Sequence, residues 1–194
     1  MSELVTPRIP LLPAAEATAA AEAEGLPGVL ADLSVFRVLL HHPLVAHRYS
    51  DFLMDLLWRG RLDARLRELV IMRLGWATGS VYEWTQHWKV ATDLHVDEAD
   101  LLGVRDWQAH PGFGPAERAV LGATDETLAT GTVSDETWRA CVEHVSADPQ
   151  VLIELVSAIG LWRMISGVLR TLAIPLEDGV SAWPPDGKAP DHGR

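Results

Sequence analysis

Cysteine is almost missing from this chain. Cys141 is the one thiol in 194 residues, and a lone thiol excludes a disulfide framework, a CxxC redox pair and a cysteine-rich zinc site within one chain. Positive charge is scarce as well. The 16 Lys and Arg face 27 Asp and Glu, a net charge of −11, so the basic field that non-specific nucleic-acid or acidic-membrane binding needs is lacking. No segment alternates apolar and polar positions among β-branched residues, so strands are not expected. A long unbroken apolar run is lacking too. The best candidate, VLIELVSAIGLWRMISGVL, contains Glu154 and Arg163, both costly at a bilayer centre, and reads as a core helix. The N-terminus, MSELVTPRIP, places Glu3, Arg8 and two prolines before any apolar stretch, unlike a secretory signal. A cytoplasmic protein is expected, with no nucleic-acid and no membrane partner.

What is present is helix. Residues 1–25 read as an irregular arm followed by an alanine-rich helix, AAEATAAAEAE, with no apolar stripe beyond alanine. Residues 26–174 carry the helical domain, and 175–194 form a Pro- and Gly-rich tail expected to be flexible, with Trp183 as its anchor. Pro43 suits a first helical position. Asp63, Asp97 and Ser134 suit N-caps, and Gly60 and Gly79 suit stops. The LRELVIMRLGWA helix is apolar on most faces, as befits the centre of a bundle. The fold class is all-α, with about six to eight helices.

The most informative stretch is ELVIMRLGWATGSVYEWTQH, Glu68 to His87. Ser80, Glu83 and His87 stand at i, i+3 and i+7, so they share one helical stripe. That stripe continues into Val90, Ala91 and Leu94, which marks it as inward-facing. If the helices on either side of Gly79 form an antiparallel hairpin, Glu68 meets His87 across it. A carboxylate beside an imidazole raises the imidazole pKa and fixes its ring, which is how acid–base pairs are built. Tyr82 and Trp84 flank Glu83 and could keep such a site dry.

Each residue also has a plainer reading. Ser80-x-x-Glu83 is the pattern of a capping box. His87 would serve as a satisfied core histidine, and Glu68 as a salt-bridge partner of Arg65, Arg67 or Arg73. Trp76, Trp84 and Trp88 would simply pack. A metal held by Glu68, Glu83 and His87 is not expected, because di-iron bundles place Glu and His at i, i+3 and supply more carboxylates.

The segment RLDARLRELVIMRLGWATGSVYEWTQHWKVATDLHVDEADLLGV resembles the core motif of the carboxymuconolactone decarboxylase family, which includes the AhpD-type alkylhydroperoxidases. The likeness rests on RELVI, on YEWxxHxxxA and on the spacing Glu-x11-Ser-x2-Glu-x3-His. In the peroxidase branch the pattern is Glu-x11-Cys-x2-Cys-x3-His, so Ser80 and Glu83 occupy the two cysteine positions. Serine cannot form a sulfenic acid and glutamate cannot resolve one. The resemblance therefore implies the decarboxylase-like side of the family. That means an AhpD-like bundle, a homo-oligomer (trimer or hexamer), no cofactor, and acid–base decarboxylation or isomerisation of a small oxygenated acid or lactone. Glu68, Glu83 and His87 would be catalytic, with Ser80, Tyr82 and Trp84 binding substrate. The alternatives are a non-catalytic oligomer with a structural Ser/Glu/His network and, less favoured, a peroxidase-related protein using Cys141.

Overall fold

The computed structural model describes residues 6–191, and among them every regular element is helical. The chain forms two compact units. One runs up to Arg59 and includes Gly167–Val180; the other comprises Gly60–Ser166 and the segment from Ser181. This division departs from the sequence-based boundaries at residues 25 and 174, because the long last helix contributes to both units and the tail returns to the second.

In the first unit, helix α1 (Ala14–Glu24) ends at Gly25, whose φ of 71° suits a residue without Cβ. Its alanines are not peripheral. Ala17 and Ala21 are fully buried in one cluster with Leu26, Ala31, Phe36, Leu40 and Ala46, so alanine itself is the apolar stripe. The stretch after Pro27 divides into a 3-10 turn, Gly28–Asp32, and α2 (Ser34–Leu39). Helix α3 (Pro43–Met54) begins with proline in its first turn, and a wider π turn carries it on to Arg59.

In the second unit, Asp63 caps α4 (Ala64–Thr78), accepting from the Leu66 amide at 3.0 Å. Helix α5 (Val81–Asp93) follows after two residues. Next come α6 (Glu98–Gly103), α7 (Pro115–Thr130), α8 (Asp135–His144) and α9 (Pro149–Leu172), with Asp97 and Ser134 capping α6 and α8. Helix α9 is long and apolar enough to span a membrane by length and composition alone. Leu152, Leu155, Ala158, Ile159 and Trp162 on it are buried, the pattern of a core helix.

The tail after Ser181 packs on α5. Trp183 meets the rings of Trp76 and Trp84 at centroid distances of 6.0 Å, and the Trp84 indole donates to the Pro184 carbonyl at 2.7 Å. Asp186 accepts two hydrogen bonds from Arg105. The Arg105 guanidinium lies over both Trp76 and Trp84, within 5 Å of each ring centre.

Two glycines set the α4–α5 hairpin. Gly79 closes α4 at φ 69°, and the Gly79 and Ser80 amides donate back to Trp76 and Gly75, the Schellman arrangement. Gly75 lets the two helices touch: a Cβ there would sit 3.0 Å from the Trp84 amide nitrogen and 3.4 Å from Glu83 Cβ. Backbone cannot yield cheaply, so overpacking of about 1–3 kcal/mol outweighs the roughly 1 kcal/mol of helix propensity that alanine adds. Gly75→Ala should therefore lower unfolding stability by about 1 kcal/mol in urea denaturation. Unchanged or increased stability would show that the helices do not need this close approach.

Candidate active site

The hairpin brings Glu68 and His87 together. His87 Nδ1 lies 2.8 Å from Glu68 Oε2, with Glu68 fully buried and His87 nearly so. On the other side of the imidazole, the Trp162 indole Nε1–H donates to Nε2 at 3.0 Å. An indole nitrogen can only donate, so Nε2 is the bare acceptor and the ring proton sits on Nδ1, donated to Glu68. The other Glu68 oxygen accepts from Arg67 Nε at 3.0 Å. Arg67 Nη2 is also 3.0 Å from that oxygen, but at an angle that makes no hydrogen bond, and this buried nitrogen has no other partner.

Glu83 lies on the same α5 stripe and is buried. Its Oε2 is 3.7 Å from His87 Nε2, too far for a hydrogen bond. Burial pushes its carboxyl up to about 7; the His87 charge pulls against this and the Glu68 charge adds to it. For His87, burial works to lower the pKa. The charge and hydrogen bond of Glu68, supported by the Glu83 charge, outweigh burial and the opposing Arg67, so the net shift is upward.

Ser80 corrects the capping-box reading. It holds the N-cap position of α5, yet its side chain makes no cap hydrogen bond. Its hydroxyl is buried without a partner. The other half of the box is lost as well: the Ser80 amide that Glu83 would have accepted from already donates to Gly75 in closing α4. A two-residue connection cannot use one amide twice.

The remaining residues divide. Tyr82 is buried on α5. Trp84 has its ring among Trp76, Trp88, Trp183 and Arg105, and its N–H is committed to Pro184. It is an anchor for the tail. Arg67 is the arginine that pairs with Glu68, in the interior and not at the surface. Arg65 pairs with Asp100 and Glu117, and Arg73 with Asp125. Trp162 is not marked as a site residue by the sequence, because a tryptophan in an apolar helix carries one signal only, an indole N–H that needs a partner when buried. Cys141 is buried, its thiol directed at the Ala119 carbonyl. Burial, then the Glu126 charge, push it up to about 11, which leaves it unreactive as a nucleophile.

A cleft of about 650 Å³ elsewhere in this unit is lined by Trp107, Arg118, Asp125, Glu126, Glu136 and His144 among others, and includes none of Glu68, Ser80, Glu83 or His87. Its Arg118 is spent on backbone carbonyls, its Asp125 on Arg73 and its Glu126 on Ser134 and Thr137. Among the described residues no group of three or more His, Cys, Asp or Glu is arranged to hold a metal.

A sequence model of the carboxymuconolactone decarboxylase family matches residues 43–126, the segment that contains Glu68, Ser80, Glu83 and His87. The likeness to that family rests on this segment. Solved structures carry the likeness over more of the chain. A peroxidase-related protein from Ralstonia eutropha, described as an alkylhydroperoxidase AhpD core, is 16% identical with a TM-score of 0.71, covering 89% of this chain and 93% of its own. The debrominase Bmp8, solved as a cysteine-to-alanine variant with 2,3,4-tribromopyrrole, is 17% identical with a TM-score of 0.67, covering 92% and 94%. A putative antioxidant defence protein AhpD from Agrobacterium tumefaciens is 18% identical with a TM-score of 0.65, covering 71% and 94%. At such identities the likeness establishes an AhpD-like, all-helical fold. No curated protein matches the chain.

The raised Glu83 pKa has a consequence for stability. Between its ordinary 4.5 and about 7 the folded protein holds a proton that the unfolded chain has released. Stability therefore falls as pH rises through that window. The raised His87 pKa acts in the same sense, its contribution being complete below the ordinary 6.5 and lost as pH passes the folded value. Glu83→Gln should be more stable than wild type at pH 8, by on the order of 1–3 kcal/mol, and the difference should vanish near pH 4.5. Urea unfolding at both pH values checks it; a less stable variant at pH 8 would make Glu83 a structural partner.

Proposed function

We propose that this chain is a cofactor-free enzyme of the carboxymuconolactone decarboxylase type, transferring protons in the decarboxylation or isomerisation of a small oxygenated acid or lactone. The observation that carries this reading is the unsatisfied end of the buried set. A hydroxyl without a partner, Ser80, stands one turn from a carboxyl that changes protonation near neutral pH, Glu83. A buried orphan hydroxyl costs on the order of 1–3 kcal/mol, and a ligand oxygen would recover it. In a decarboxylation, loss of CO2 leaves the electron pair on carbon as an enolate, whose oxygen Ser80 would bind and whose carbon Glu83 or His87 would protonate. Glu68, held by Arg67, orients His87. Tyr82 would line the substrate side.

The AhpD-like and debrominase relatives support catalysis on this fold, while the thiol chemistry of a peroxidase has no place here. Ser80 and Glu83 offer no thiol at the motif positions, and the Cys141 thiol is buried and raised. The structural alternative draws on the fact that both His87 nitrogens are satisfied; it leaves Ser80 and Glu83 without a role. A homo-oligomer in the cytoplasm completes the reading. Ile153, Val156 and Met164 of α9 are 66%, 47% and 46% exposed along one stripe, apolar area that a second copy would cover. Ile153→Glu with Met164→Glu should then lower the mass seen in sedimentation equilibrium, whereas an unchanged mass would remove α9 from the contact.

Hydrogen–deuterium exchange at the acidic carbons of a panel of keto acids and lactones, followed by NMR, reads proton transfer whatever the final product. Wild type should accelerate exchange in at least one compound. His87→Ala and Glu83→Gln should each lose about 100-fold or more of that rate. Equal exchange in His87→Ala would sink the assignment.

A further inference from the structure

The nitrogen that His87 would use as a base is already occupied. Trp162 donates to Nε2 at 3.0 Å, with the two rings edge-on at 81° and centroids 5.6 Å apart. Glu83 Oε2 stands 3.7 Å from the same nitrogen. These two neighbours want opposite things from it. An indole N–H can bond only to a bare Nε2, and a carboxylate only to a protonated one. Nδ1 is fixed meanwhile by Glu68 at 2.8 Å. The charged groups facing the imidazole are Glu68 and Arg67 on α4 and Glu83 on its own helix, and α9 brings the neutral Trp162.

We propose that Trp162 is a positioning residue that parks the Nε2 lone pair of His87, and that protonation of Nε2 hands the imidazole from Trp162 to Glu83. The proton arrives at the lone pair with no other bond broken in the protein. Trp162 then faces a second N–H and loses its acceptor. The new Nε2–H gains Glu83 Oε2 after an approach of roughly 1 Å, the difference between the 3.7 Å separation and a charge-assisted hydrogen bond. In the resting state Trp162 thus opposes protonation of Nε2, leaving Glu83 as the group that meets a substrate first. The use of this handover in turnover rests on the proton-transfer function proposed above; the handover itself does not.

The two partners should move the His87 titration in opposite directions. In histidine 15N-labelled protein, with the His87 signals identified by their loss in His87→Gln, wild type at high pH should show Nδ1 protonated and Nε2 bare. Trp162→Phe removes the donor that favours the neutral ring, and the His87 midpoint should rise by about 0.5–1 pH unit. Glu83→Gln removes the partner of the imidazolium, and the midpoint should fall. In case Trp162→Phe does not fold, the wild-type Trp162 indole proton should itself titrate with the His87 midpoint. A midpoint unmoved or lowered in Trp162→Phe, or an indole proton blind to His87, overturns the proposal. Opposite shifts without any carbon-acid exchange would keep the handover and discard the catalytic reading. Exchange without the shifts would do the reverse.

Discussion

Glu68 is the constraint on which the interior of the second unit turns. A carboxylate with no exposed surface survives only if both oxygens have donors. Arg67 supplies one from the same helix, and His87 supplies the other from α5. The second donor requires α4 and α5 to lie side by side in one register. Gly75, the Schellman closure at Gly79 and the two-residue connection produce that register. Any sliding of α5 would leave a buried carboxylate half-satisfied, so the hairpin is fixed by polar need as much as by packing.

The same geometry makes the two carboxyls of the set unlike. Glu68 stands between a guanidinium and an imidazole N–H. Glu83, one turn from His87, faces a nitrogen whose proton is on the far side of the ring. Burial without a donor pushes its carboxyl up to about 7. Two acidic groups in one site are thereby placed in different surroundings, Glu68 between two donors and Glu83 with none, a division set by neighbours and not by residue type.

Much of this is legible in the sequence. Helix ends follow from Pro43, Asp63, Gly79, Asp97, Ser134 and Pro149, since caps and stops act over a few residues. The i, i+3, i+7 stripe and the short glycine turn point to Glu68 meeting His87. What stays hidden is long-range or competitive. Trp162 lies 75 positions from His87, and no local pattern links them. The capping box at Ser80 is a sound local rule whose Glu83 half is overruled by another, because α4 needs the same amide. The alanines of α1 look featureless, since a stripe of small residues is invisible to periodicity until a neighbour packs on it. Trp84 reads in the sequence as a wall of the site, but its indole holds the Pro184 carbonyl.

The network is therefore saturated at one end and open at the other. Arg67 Nε, Glu68 and both nitrogens of His87 are engaged, the condition of a structural core. Ser80 Oγ is buried and alone, and Glu83 is close to His87 without bonding it. A purely structural network would relieve the open end cheaply, since Ser80→Ala removes the orphan hydroxyl and a leucine in place of Glu83 removes the buried carboxyl. Keeping both groups costs stability in the unliganded protein, and under the proposed function a substrate oxygen at that end would recover part of it. The saturated half then has its own purpose. It holds the imidazole still, with Nδ1 fixed by Glu68 and Nε2 by Trp162.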